Sequence, residues 1–426
     1  MKIKTKKLSY EKVMALPREK HKNPVKPSIF FRTLIRVVSI FDLVAAKFTF
    51  TKKNMEKAGV GPYLILMNHS SFIDLEIAHR IMYPKPMCII CTSDAFVGMG
   101  WLMRLIGCIP TQKFVTDMTL IRDIIYAIKN KKTSILMYPE ASYSFDGTAT
   151  PLPKSLGMLV KKLGVPVVNI RTYGAFARQP LYNCLKKRDV KVSADVECLL
   201  SSEEISQKTA DEIQNILDRA YDFDNFAWQK ENGIVIDEKD RAVGLERILY
   251  KCSSCETEGE MIGEGEFVRC KKCGCTHRLD ELGSLEGEGE TRFSHIPDWY
   301  AWERECVRGE LISGEYRLDT EVEIGMMVNH KAIYMVGEGR LTHDVSGFKL
   351  VGCGGKLNYE QKPLSSYGLY ADYYWYEIGD VICIGNKDCL YYCFPKKEGV
   401  VSKTRLAAEE LFKICKEKQK ETAKSI

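Results

Sequence analysis

YLILMNHSSFIDLEIAHRIM, residues 63–82, is the stretch whose reading decides the fold of this 426-residue chain. Its opening run, YLILMN at 63–68, is short, apolar and rich in branched side chains, which is the pattern of a buried strand. The residues from about 71 to 82 then read as a helix. Between them stands His69, with Asp74 five residues on. A tight turn brings that carboxylate back to the imidazole, where it fixes the tautomer and stabilises the imidazolium. His69 would then take the proton of an incoming hydroxyl as it attacks a thioester carbonyl, with no acyl-enzyme. The same residues also fit a local role, with Ser71 capping the helix and Asp74 in its first turn. The spacing alone leaves both open.

Outward from this stretch the pattern repeats. MCIICT (87–92), SILMYPE (134–140) and VPVVNI (165–170) read as further buried strands, and VKVSADVECLL (190–200) as another. Helical patterns lie between and after them, near 117–131, 154–163 and 208–221. This alternation predicts an α/β domain over residues 51–245, a mixed sheet flanked by helices. Glu140, after an apolar strand and Pro139, falls at the carboxyl end of that sheet, where open α/β folds bind ligands.

The composition is globular: 45% hydrophobic, 28% charged, which excludes disordered and fibrous classes. The net charge of +6 is unevenly placed. Residues 1–27 hold nine Lys or Arg against two acids, so that segment alone is +7. Ahead of SIFFRTLIRVVSIFDLVAAKFTF (28–50) such an arm suits an anionic lipid surface, nucleic acid, or plain solvent. Arg32, Arg36, Asp42 and Lys47 lie within that apolar segment, which argues against a spanning helix. Residues 1–50 are expected to form a basic arm and an amphipathic helix, lying on a membrane or packed on the domain. The start MKIKTKKLSY has no apolar leader, so the 16 cysteines are expected to be reduced.

Four blocks in order resemble the glycerolipid acyltransferase family, whose type member is 1-acylglycerol-3-phosphate acyltransferase. NHSSFID (68–74) is similar to its first block, GCIPTQKF (107–114) stands where its second lies, YPEASYS (138–144) resembles Phe-Pro-Glu-Gly-Thr-Arg-Ser, and GVPVVNI (164–170) the fourth. The resemblance covers roughly residues 30–240. It implies His69 and Asp74 as catalytic residues, and Asn68, Lys113, Glu140 and Lys154 as acceptor-binding residues. Acyl-CoA or acyl-carrier protein would be the donor and membrane lipids the partners, at the cytoplasmic face of a membrane. Lys113 and Tyr143 replace the two arginines that grip the acceptor phosphate in the family. A lysine supplies charge without the bidentate fork, so another lysolipid or a phosphate-free alcohol stays open as acceptor.

Cys252-x-x-Cys255 and Cys270-x-x-Cys273, 14 residues apart, have the spacing of a structural zinc ribbon, expected over 246–285. Cys275 and His277 are alternative ligands. Cys88-Ile-Ile-Cys91 shares the spacing but lies in an apolar strand, where buried thiols are expected. A binding protein using the ribbon and basic arm on nucleic acid is the contrasting class, but EGEMIGEGEFVR between the knuckles is acidic, so no nucleic acid is expected. Residues 286–426 read as a helix near 298–311, aromatic strands over 315–395 and a closing helix, in outline like a pleckstrin-homology or GRAM module. Its tyrosines, from Tyr367 to Tyr376, suit sheet packing. His330 and His343 read as ordinary polar positions.

Overall fold

The fold is that of a computed structural model, which describes residues 2–115, 117–287 and 291–424. The chain opens with β1 (Thr5–Lys7), α1 (Tyr10–Met14) and the long α2 (Ile29–Ala45). An alternating series follows: β2 (Thr49–Lys53), β3 (Leu64–Met67), α3 (Ile73–Met82), β4 (Met87–Thr92), α4 (Gly100–Leu105), β5 (Cys108–Thr111), α5 (Met118–Lys129), β6 (Ser134–Met137), α6 (Leu156–Leu163), β7 (Val167–Tyr173), α7 (Ala175–Arg178) and β8 (Ser193–Leu200). Three helices close this part: α8 (Ser202–Gln207), α9 (Ala210–Ala220) and α10 (Asn225–Glu231).

All four residues of β3 are buried, because helices cover both faces of the sheet and a central strand there must be apolar throughout. The order is β2-β8-β7-β3-β6-β4-β5. Strands β3 to β7 are parallel, whereas β8 runs against β7 and carries β2 beside it. Ile73 and Ile77 of α3 pack on one face with Leu43 of α2. The other face is covered by Ile124 of α5, Val160 of α6 and Leu217 of α9. The mixed sheet is the one expected. The strand expected over 134–140 ends at Met137, and β5 lies unforeseen inside GCIPTQKF. Pro110 hides it from a sequence reading, yet β5 is the edge strand, where a missing N–H breaks no ladder.

Four short antiparallel strands follow: β9 (Met261–Glu264), β10 (Phe267–Cys270), β11 (Thr276–Leu279) and β12 (Leu285–Gly287). After α11 (Ile296–Ser313) come β13 (Leu318–Met327), β14 (Ile333–Asp344), β15 (Gly347–Gly352), β16 (Leu357–Gln361), β17 (Tyr370–Trp375), β18 (Gly379–Asn386), β19 (Cys389–Pro395) and the closing α12 (Val400–Lys424). These strands form an antiparallel sheet in the order β16-β15-β14-β13-β19-β18-β17. The basic arm is tied down here: β1 pairs in parallel with β14, Thr5 opposite Ile333. Asn329 donates to the Pro17 carbonyl, and Arg104 to those of Lys22 and Asn23, so the arm runs from this sheet to the first domain. A shared apolar cluster of Val97, Phe114, Tyr370, Trp375 and Tyr392 joins the two.

Candidate active site and cysteine cluster

β3 ends at Met67, and the turn into α3 is closed by Asp74. Its Oδ2 accepts from the backbone N–H of Ser70 at 2.7 Å and Ser71 at 3.0 Å, and lies 3.2 Å from His69 Nδ1. The local role of Asp74 and the one expected of it beside His69 thus share one geometry. Ser71 is not the cap: its hydroxyl is buried without a partner. With Nδ1–H donated to Asp74, the lone pair is on Nε2. The ring stacks on Tyr138, centroids 3.9 Å apart, with Tyr143 at 4.3 Å. Burial pushes the imidazole below its ordinary value, Asp74 pulls it back, and the charge of Lys113 pushes it down again. The net shift is downward, so at neutral pH the ring is an uncharged base.

Asn68 bridges strands. Its Nδ2 donates to the Thr172 carbonyl at 3.2 Å and its Oδ1 accepts from the Thr172 N–H at 2.8 Å, which ties the catalytic turn to β7. Glu140 is buried, and Oε2 accepts from the Thr150 N–H at 3.2 Å. Burial, with a smaller contribution from the charge of Asp74, pushes its carboxyl up to about 8, against the backbone N–H groups of Thr150 and His69. Ala141 follows at φ +60°, where the family's third block has glycine. A side chain there is strained, by about 1–2 kcal/mol.

His69 and Glu140 line a cleft together with Asn169, Arg171, Tyr221 and Phe223. The latter residues were not singled out from sequence. The available signal was Asn169 and Arg171, two polar residues at period two in an apolar strand, hence on one face.

The other expected residues are distributed differently. Lys113 lies under the C-terminal sheet, its Nζ 4.2 Å from the Tyr370 ring, with Asp372 in electrostatic reach. Lys154 is 84% exposed and pairs with Asp218 at 3.2 Å, and it is not among the residues that line the cleft. The third block is gripped by α12, where Arg405 donates to Ser142 Oγ at 3.3 Å and lies 4.0 Å over the Phe145 ring.

The sulfurs of Cys252, Cys255, Cys270 and Cys273 all lie within 4.8 Å of one another. Two of the pairs, Cys252 with Cys273 and Cys255 with Cys270, are 3.7 Å apart. A tetrahedron with metal–sulfur bonds of about 2.3 Å has edges of about 3.8 Å, so the donor set fits zinc. Cys275 and His277 stand outside the cluster and contact each other at 3.3 Å. Cys88 is buried, as expected of its strand, and its thiol is pushed up to about 12 by burial first and by Cys108.

Residues 48–172 match the family model described as Acyltransferase. The 1-acyl-sn-glycerol-3-phosphate acyltransferase beta of Homo sapiens is 25% identical over 163 residues, which is 38% of this chain and 57% of that relative. The chain thus spans little more than half the length of the curated relative. Among solved structures, the 1-acyl-sn-glycerophosphate acyltransferase PlsC of Thermotoga maritima is similar at TM-score 0.35 and 16% identity, over 45% of this chain and 78% of that one. The resemblance carried by the four blocks is borne out, and the family match contains His69, Asp74 and Glu140.

Proposed function

We propose that this chain is an O-acyltransferase that moves a fatty acyl group from acyl-CoA or acyl-carrier protein to the free hydroxyl of 1-acylglycerol-3-phosphate, giving phosphatidate. The carrying observation is the His69–Asp74 pair, with Nδ1 satisfied and His69 in the lining of a cleft, inside the segment that matches the acyltransferase family. Nε2 takes the proton as the acceptor oxygen bonds to the thioester carbonyl carbon. The tetrahedral intermediate then collapses, the carbon–sulfur bond breaks, and the imidazolium returns its proton to the leaving thiolate. Asp74 holds the tautomer and stabilises the transient cation. Lys113, fixed beside the ring, favours its neutral form at rest. Glu140 braces the His69 backbone.

The reaction would take place on a membrane surface. Among the described residues no helix is long and apolar enough to cross a bilayer. α2 turns its arginines inward, Arg32 onto the Pro84 carbonyl and Arg36 4.3 Å from the Tyr83 ring. Its apolar side faces out, with Phe41 80%, Val44 70% and Phe30 66% exposed. A helix that exposes its apolar face suits the headgroup boundary of a lipid leaflet, on the cytoplasmic side in this reading. The four cysteines would hold one structural zinc, whose closed thiolate set leaves no position for substrate. The strand order and closing helix of the last domain support a module of the pleckstrin-homology kind.

Purified protein supplied with defined thioesters and a panel of lysolipids and alcohols, with products read by mass spectrometry, tests the reaction. Phosphatidate formed by the wild type and not by His69→Ala is the expected result. Product from phosphate-free acceptors alone would move the assignment to that class.

A further inference from the structure

Three cationic side chains surround the catalytic turn, and two are already committed. Lys113 lies under the Tyr370 ring with Asp372 close by, so an anion approaching it would meet an aromatic roof and a carboxyl group. Arg405 is buried and pairs with Glu409 at 3.0 Å. The family's other phosphate-gripping position is Tyr143, packed on His69.

Arg171 differs from both in lining the cleft that contains His69. Its guanidinium stands 5.4 Å from the Phe223 ring and interacts with the neutral Tyr173 hydroxyl, and among the described residues it forms no ion pair. Tyr221, in the same lining and 4% exposed, has a hydroxyl with no hydrogen-bond partner. Asn169 precedes Arg171 by two residues and shares its face of β7. The carboxyl group in this lining, Glu140, stays protonated up to about pH 8 because it is buried. A guanidinium with no carboxylate partner among the described residues and an orphan phenol hydroxyl line one cleft, where no negative charge opposes an anion. A phosphate satisfies both, and suits the guanidinium fork best.

We propose that Arg171, with the Tyr221 hydroxyl, holds a substrate phosphate in the cleft beside His69, in place of the grip that the family pattern puts at the positions of Lys113 and Tyr143. The inference rests on the acyl-transfer reading for its substrate. In 1-acylglycerol-3-phosphate the reacting hydroxyl and the phosphate ester sit on adjacent carbons, so a phosphate anchored on Arg171 keeps the hydroxyl within the cleft that His69 also lines. An acyl-CoA donor also carries phosphates, and the two sources are separable.

The first measurement needs no turnover. Glycerol 3-phosphate is titrated calorimetrically into wild-type, Arg171→Gln, Arg171→Lys and Tyr221→Phe proteins, with melting curves beside each. Affinity should fall about ten- to a hundredfold in Arg171→Gln and by about tenfold or less in Tyr221→Phe, with part of the loss recovered in Arg171→Lys. The second measurement is kinetic. A rise in KM for 1-acylglycerol-3-phosphate but not for monoacylglycerol assigns the phosphate to the acceptor. A rise for acyl-CoA but not for an acyl-pantetheine thioester assigns it to the donor. Unchanged glycerol 3-phosphate affinity in Arg171→Gln, or equal losses with phosphate-bearing and phosphate-free substrates, overturns the proposal. Wild-type protein that binds phosphate through Arg171 yet transfers no acyl group would overturn the transferase reading and leave this site standing.

Discussion

The turn at His69 and the knuckles at Cys252 and Cys270 are both tight loops beside strands, and they are supported in opposite ways. Behind His69 the sheet buries apolar side chains on both faces, and the charge of Asp74 is met by two backbone N–H groups and the imidazole. The catalytic geometry is a by-product of a core that would exist without it. The cysteines join strands of only three or four residues, and their sulfurs face one another at distances that a cation between them would explain. There the polar site must contribute to the fold. One region is organised by burial alone; the other adds four converging sulfurs to the burial of Val268, Leu279 and Leu285.

The hardest test of that contrast is metal removal. Protein prepared without added zinc should carry one zinc per chain, and chelation should melt residues 246–287 before the β2–β8 sheet. Binding energy on the order of 10 kcal/mol or more disappears with the metal. A stoichiometry near zero, with all four thiols titratable in the native state, would break the comparison.

Next in size is the catalytic turn. His69→Ala should lower turnover by about 10² to 10⁴ with the melting temperature unchanged. Asp74→Asn should also slow turnover, and should cost about 1.5–3 kcal/mol of stability because two N–H groups lose a charged acceptor. The pH profile sharpens the assignment. His69 is shifted below its ordinary value of 6.5 by burial, so its base form survives mild acid and the acid limb of kcat/KM should lie below pH 6.5. Glu140 loses its proton near 8, which places a buried charge behind the turn and should give an alkaline limb there. A flat profile between pH 5 and 9 would remove both groups from the mechanism.

A smaller effect is expected at the surface of α2. Phe41→Asp should weaken binding to anionic vesicles by about tenfold or more, since a buried aromatic side chain contributes about 1.5–3 kcal/mol. Thermal stability in solution should hardly change, because Phe41 is already exposed. The smallest effect is expected at Ala141→Gly. Relief of the φ +60° strain, less the flexibility that glycine adds to the unfolded chain, should stabilise by about 1 kcal/mol or less, read as a rise in melting temperature.

What could be read from sequence divides along the same line. β3, β4, β6 and β7 were legible because strands covered on both faces must be apolar runs, and His69 and Asp74 because a local turn brings them together. The cysteine cluster was legible because the spacing of two knuckles is local in the chain and brings four sulfurs together. Lys113 and Lys154 illustrate the limit: a charge shows in a sequence, but what it pairs with does not. Tyr370 and Asp372 are more than 250 residues from Lys113 in the chain, and Arg171 becomes meaningful only once folding brings Tyr221 into the same cleft. Nothing local marks β1 as a strand either, since its partner is β14.

That pairing has a consequence for the order of synthesis. Residues 5–7 leave the ribosome well before the backbone they hydrogen-bond to, which begins at Ile333. At about 5–20 residues per second the arm waits roughly 15–70 s for its partner strand. During that interval a stretch with nine lysines and arginines among its first 27 residues is solvated and positively charged, next to a helix with an exposed apolar face. On the membrane-surface reading proposed above, the nascent chain would meet lipid while still tethered to the ribosome. Arrival of β14 then draws the arm onto the finished protein and shortens its reach.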